Sequence, residues 1–129
     1  MELKSLHIEA TDETPCIHFD VVKCELTISG RSLPENAFRF YGPVIEHIKF
    51  YSQHMARQFQ VFVELEYYNS SSGRYLLELL GVLQERFKSH HECCIYWKVE
   101  HDDELMIEKG EELKELISLP LEIVRSEKL

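Results

Sequence analysis

No apolar run in the sequence approaches the roughly 18–20 residues needed to span a bilayer. The opening stretch, MELKSLHIEATDE, has no basic segment followed by an apolar one. No signal peptide is indicated, membrane insertion is not expected, and the cytoplasm is the expected compartment. Basic residues are scarce: 14 Lys and Arg stand against 23 Asp and Glu, for a formal net charge of −9. Such a surface repels phosphate backbones, and no basic stripe offsets it, so nucleic acid is not an expected partner. There is no internal repeat, low-complexity tract or interdomain linker.

Several chemical signatures are also missing. The four cysteines, Cys16, Cys24, Cys93 and Cys94, form no Cys-x-x-Cys pair. In a reducing compartment they read as thiols, not as a disulfide frame. His90-His91-Glu92-Cys93-Cys94, with Cys16, His18 and Cys24, offers zinc-type donors. Adjacent cysteines on a strand must point to opposite faces, so a metal is not expected. Gly-x-Ser-x-Gly, a phosphate-binding glycine loop and His-Glu-x-x-His are all absent. No cofactor and no catalytic residue is expected.

What remains is an ordinary globular composition, 44 % apolar and 29 % charged over 129 residues, enough for one domain with its own core. Residues 1–14 read as a flexible N-terminal arm or, through Leu6-His7-Ile8, an edge strand. Cys16 to Val22 and Cys24 to Ser29 alternate with period two and predict a hairpin turning near Val22-Lys23. Tyr41, Val44, Ile48, Tyr51 and Met55 form one helical stripe, with Pro43 near its start and Phe38-Arg39-Phe40 as a separate short turn. In Gln60 to Tyr68, Val61, Val63, Leu65 and Tyr67 share one strand face; Phe62, Glu64, Glu66 and Tyr68 share the other. Leu76, Leu80, Leu83 and Phe87 mark a second helix. Cys93 to Val99 predicts a strand. Asp102-Asp103-Glu104 opens a third helix, which Gly110 divides into two pieces. Glu100 to Glu115 holds eight acidic and two basic residues, a net of −6. Ile117 to Val124 predicts a last strand, with Pro120 at its start or on an edge. The order β-β-α-β-α-β-α-β implies parallel crossovers and a mixed sheet: an α/β domain of four to five strands, with helices mainly on one face.

The chemistry gathers at Asn69-Ser70-Ser71-Ser72-Gly73, where a strand runs straight into a helix. Free N–H groups and the positive dipole end favour an anion there. One hydroxyl or amide explains a helix cap; three serines exceed what capping needs. The functional alternative is a phosphorylation switch, since a phosphoseryl group adds roughly −1.5 to −2 charges at pH 7. Arg74 lies one turn along the helix and would neutralise it. Glu64 and Glu66 would repel it if they shared its surface.

Leu33-Pro34-Glu35-Asn36 leading to Phe40-Tyr41-Gly42-Pro43-Val44-Ile45, followed by Leu65-Glu66-Tyr67-Tyr68-Asn69-Ser70-Ser71-Ser72, resembles the SiaC family of bacterial regulatory phosphoproteins. The likeness runs from about Thr14 to Val124 and includes the Tyr96-Trp97 strand and the acidic helix. It implies a STAS-like regulatory domain over residues 15–125, similar to anti-sigma-factor antagonists, although those more often carry Asp-Ser-Ser-Gly. It further implies partner switching. A cognate Ser/Thr kinase phosphorylates the domain, a 2C-type protein phosphatase reverses this, and the unmodified form binds and promotes a diguanylate cyclase (a GGDEF protein) in c-di-GMP and biofilm regulation. The acceptor maps to Ser70, with Ser71 as the alternative. The motif places the partner surface at Asn69, Ser70, Ser71 and Ser72; Arg74, Tyr41 and Arg39 are expected to contribute to it with no motif behind them. Two other readings stay open: an interaction adaptor without phosphorylation, and a small hydrolase using Ser70 with His54, His90 or His91.

Overall fold

The computed structural model describes residues 2–55, 58–87 and 92–127. Its elements follow the chain as β1 (Leu6–Ile8), β2 (Cys16–Asp20), β3 (Glu25–Ser32), α1 (Ala37–Ser52), β4 (Phe59–Tyr68), α2 (Ser70–Arg86), β5 (Cys93–Val99), α3 (Glu104–Leu116) and β6 (Leu121–Arg125). All strands join one six-stranded sheet in sequence order. This corrects the expected four to five: both the short N-terminal strand and the strand after Pro120 pair into it. The first three strands are antiparallel neighbours, and β3 to β6 are parallel.

Each parallel step is carried by one helix, and every step moves the same way across the sheet. Right-handed crossovers stepping in one direction place all three helices on one face. Burial agrees: Ile17, Phe19, Leu26, Ile28, Val61, Val63, Ile95 and Trp97 are covered. The other face, with His18, Thr27, Phe62, Glu64, Cys94 and Lys98, is partly or fully open. The β2–β3 turn falls at 21–24, where Asp20 Oδ1 accepts from the amides of Val22 and Lys23. The second helical stripe is buried as expected at Leu76, Leu80, Leu83 and Phe87.

Three local expectations change. Phe38-Arg39-Phe40 is not a separate turn; α1 starts at Ala37, with Asn36 Oδ1 accepting from the Arg39 amide at 3.0 Å. Pro43 therefore sits in the second turn, on the exposed side of the helix. Gly110 does not divide α3. It is a packing site: a Cβ there would lie 2.5 Å from the Trp97 ring, whose Nε1 donates to the Met106 carbonyl at 2.8 Å. At the far end of the helix layer, Arg86 of α2 donates from Nε to the Ser52 carbonyl at 2.7 Å and from its guanidinium to the Met55 carbonyl. One side chain thus satisfies carbonyls that the end of α1 leaves open.

The third change bears on the site. Between Gly30 and Arg31 the β3–β4 register shifts: Gly30 pairs with Leu65, but Arg31 pairs with Tyr67. The extra residue on β4 is Glu66, and Gly30, opposite it on β3, has a positive φ of 107°. A bulge moves every later side chain to the opposite face. Tyr67, expected inside, is 38 % exposed, and Tyr68, expected outside, is 7 % exposed. Tyr68 packs edge-on against Trp97 at 6.0 Å between ring centroids.

Gly110→Ala is expected to cost about 1–3 kcal/mol through overpacking on Trp97. Gly81→Ala, which has open space around it, is expected to be neutral or to stabilise by up to about 1 kcal/mol. Urea denaturation midpoints check both. Burial also pushes the Cys93 thiol and the Tyr68 phenol up to about 12. Folding therefore holds their protons more tightly than the unfolded chain, whose groups ionise near 9 and 10. That contribution is intact below pH 9 and is lost as pH rises from 9 through 12. Thermal unfolding across this range should show a falling midpoint, with a shallower fall in Tyr68→Phe.

Candidate functional site

The strand-to-helix join is held by a chain of buried hydroxyls. Ser32, the last residue of β3, accepts twice at its carbonyl: from the Asn69 amide at 3.1 Å and from Ser72 Oγ at 3.0 Å. Ser32 Oγ donates to Ser72 Oγ at 2.8 Å. Its remaining neighbour is the Tyr41 hydroxyl at 2.5 Å. Each serine proton is already committed, so Tyr41 is the donor in that pair. The relay runs Tyr41 to Ser32 to Ser72 to the Ser32 carbonyl, and it ties α1, β3 and α2 together. Burial raises the Tyr41 phenol above its ordinary value and keeps it protonated.

This geometry separates the three serines. Asn69 is the helix cap: its Oδ1 accepts from the Ser72 amide at 3.0 Å and from Ser71 Oγ at 3.1 Å. Ser72 is 0 % exposed and structural. Ser71 is exposed but spends its proton on the cap. Ser70 is exposed at the first helical position and opens onto a groove of about 460 Å³ between α2 and α3. Tyr67, Arg74, Leu77, Lys109, Glu112 and Leu116 also line that groove.

Of the residues expected on a partner surface, Asn69, Ser70 and Arg74 meet in the groove. Ser71 is exposed next to it. Tyr41 and Ser72 do not belong to a surface: both are 0 % exposed because the relay uses their hydroxyls. Arg39 is exposed on the first turn of α1 and lines a different cleft, with Pro34 and Asn36. Glu64 and Glu66 line a third, with Lys98, and do not face Ser70.

Two contributors escaped the sequence. Ser32 reads there as the start of a turn. Lys109 stands there only as one of two basic residues in an acidic stretch. Its Nζ instead donates to the Tyr68 carbonyl at 2.8 Å and lies 4.8 Å and 4.1 Å from the Tyr67 and Tyr68 ring centroids. Gly73 completes the join, since a Cβ there would meet the Tyr68 ring at 2.9 Å.

The hydrolase reading loses its nearest base. His54 follows the C-terminal end of α1, and the N-terminal end of that helix is the one beside Ser32. Sixteen helical residues span about 24 Å, so His54 lies at the opposite end of the helix layer from Ser70. His90 and His91 lie outside the described residues. Cys93 is buried on the helix side and Cys94 is on the open face, as strand alternation requires. Among the described residues, no group of three His, Cys, Asp or Glu side chains is placed to hold a metal ion. Nor is any described helix long and apolar enough to cross a membrane.

Ser72→Ala is expected to destabilise by about 1–3 kcal/mol, because it leaves Ser32 Oγ–H buried without its acceptor. Ser70→Ala should stay within about 0.5 kcal/mol of the parent. Equilibrium denaturation of the two variants side by side distinguishes the structural serine from the free one.

The family model for the SiaC family regulatory phosphoprotein matches residues 8–126. The chain is 29 % identical over 121 residues to an uncharacterised protein of Pseudomonas aeruginosa (strain UCBPP-PA14), covering 94 % of this chain and 96 % of that one. The solved structure of SiaC of Pseudomonas aeruginosa superposes with a TM-score of 0.86 at 28 % identity, covering 95 % of this chain and 99 % of that one. A chain of the crystal structure of the diguanylate cyclase SiaD in complex with its activator SiaC, from the same organism, gives 0.87 at 29 %, covering 94 % and 99 %. The family match takes in both motifs and the whole of the sheet from β2 to β6. The protein belongs to the SiaC family of regulatory phosphoproteins.

Proposed function

We propose that this protein is a non-enzymatic partner-switching regulator whose unmodified form binds and promotes a diguanylate cyclase, and that reversible phosphorylation of Ser70 controls the complex. The observation that carries the acceptor assignment is the division of labour among the serines. Ser72 is sealed in the hydroxyl relay, Ser71 donates to the Asn69 cap, and Ser70 alone lines the groove. A phosphoryl group on Ser71 would remove its donated bond and set a dianion against Asn69 Oδ1. On Ser70 it costs the cap nothing and meets the positive end of α2. The cyclase reading is supported by the SiaC–SiaD complex, in which a relative of similar fold is named as the cyclase's activator.

The chemistry asks little of this chain. A Ser/Thr kinase supplies the catalytic base and a nucleoside triphosphate. The Ser70 hydroxyl oxygen forms the new O–P bond, the β–γ bridge breaks, the hydroxyl proton passes to the kinase base, and the nucleoside diphosphate leaves. A 2C-type phosphatase returns the hydroxyl by hydrolysis. The protein contributes an acceptor fixed at the start of a rigid helix. Residues 15–125 are the regulatory domain, and residues 1–14 precede it and carry the edge strand β1.

Intact-mass measurement after incubation with the cognate kinase and ATP should show one added phosphate. Ser70→Ala should abolish it and Ser71→Ala should retain it. Calorimetric titration into the cyclase should show the phosphorylated chain binding at least tenfold more weakly, about 1.4 kcal/mol. Phosphate retained by Ser70→Ala, or equal binding by both forms, would overturn the proposal.

A further inference from the structure

We infer that Arg74 on α2 and Lys109 on α3 form an internal clamp for a phosphoryl group on Ser70, so that modification ties the two helices together across their groove. This deepens the reading of Ser70 as acceptor and rests on it. Arg74 is four residues along α2, which puts its Cβ about 5–6 Å from that of Ser70 on the same helix face. Lys109 approaches from the other wall. Its ammonium is already held 2.8 Å from the Tyr68 carbonyl, two residues before Ser70. Two residues of chain span at most about 7 Å.

The unmodified state stores Lys109 on weak partners: one neutral carbonyl and the faces of Tyr67 and Tyr68. A phosphate dianion is the stronger partner, because charge-assisted hydrogen bonds are roughly twice as strong as neutral ones. The four-carbon lysine stem is flexible enough to make the transfer. Among the described residues, Arg74 and Lys109 are the two cations lining the groove, and Glu112 is the one carboxylate there. Tyr68, which faces it, stays neutral, since burial pushes its phenol up to about 12. When Lys109 moves to the phosphate, it uncovers Tyr67, the half-exposed aromatic on the groove wall. A partner then meets an added dianion and a changed aromatic surface at once.

The test uses the full chain with phosphoserine genetically encoded at position 70, so no kinase is needed. The second ionisation of the phosphate is followed by 31P NMR from pH 4 to 8. In the parent chain it should fall at least half a unit below the value near 6 of a free phosphoseryl peptide. Helix amides alone contribute to that fall, so the decisive quantity is the change on substitution. Lys109→Gln and Arg74→Gln should each move the ionisation back toward 6, Lys109→Arg should restore it, and Glu112→Gln should lower it further. Arg74 is exposed, so Arg74→Gln carries the test even if Lys109→Gln loosens α3. Ionisation unchanged by either glutamine variant, or equal to that of the free peptide in the parent, overturns the clamp. Because the phosphate is installed during synthesis, the absence of a kinase or an indifferent cyclase would refute the partner switch without touching this result.

Discussion

The join between β4 and α2 depends on three hydroxyls having one consistent arrangement. A hydroxyl buried without a partner costs about 1–3 kcal/mol, and this site buries three within one cluster. The cost is avoided because every proton has a single acceptor in sequence, from Tyr41 through Ser32 and Ser72 to the Ser32 carbonyl. The arrangement fixes where α2 begins relative to β3 and holds α1 to both. It also decides which serine is available for chemistry. Ser72 cannot be reached without opening the core, whereas Ser70, two residues earlier, stands outside on a helix start that cannot shift.

The bulge at Glu66 complements this. Strict alternation would have turned Tyr68 to the open face of the sheet and Tyr67 into the core. The extra residue reverses both. Tyr68 then fills the space between Trp97 and Gly73, while Tyr67 stands on the groove wall under the Lys109 ammonium. Two glycines are required by the same packing. Gly73 lets α2 approach Tyr68, and Gly110 lets α3 approach Trp97. The groove beside Ser70 is thus a by-product of how closely two helices can lie on one pair of aromatic rings.

Much of this was legible in the sequence wherever periodicity carries the information. The stripe Leu76, Leu80, Leu83 and Phe87, the strand Cys93–Val99, the hairpin and the crossover order all follow from spacing. Apart from the start of α1 and the strand count, the failures share a cause: each involves a residue whose role is set by a partner distant in sequence. Tyr67 and Tyr68 change places because of a register shift against the neighbouring strand. Gly110 reads as a helix breaker until Trp97 is seen beneath it. Tyr41 and Ser72 are expected on the partner surface until Ser32 is found between them. Lys109 is only a basic residue in a run of acids until the Tyr68 carbonyl is placed beside it. Ser70 itself is singled out by resemblance; spacing alone leaves three serines equal, whereas burial sets Ser72 apart and the bond to Asn69 sets Ser71 apart.

On a chain of net charge −9, counting charge alone would make one more dianion a small change. Screening argues otherwise. At physiological ionic strength the Debye length is about 8 Å, so the acidic surface as a whole is not felt at Ser70. What is felt is the groove: two cations, one carboxylate and the positive end of α2. A phosphoryl group there alters a local balance near neutrality instead of adding to a distant negative field. The open sheet face, with Phe62 and Lys98, lies on the opposite side of the sheet from α2 and α3. A partner that senses the state of Ser70 through charge must therefore touch the α2–α3 side of the molecule. A partner docked on the open face would sense it only through movement of the sheet, which the hydroxyl relay and the two glycine contacts resist.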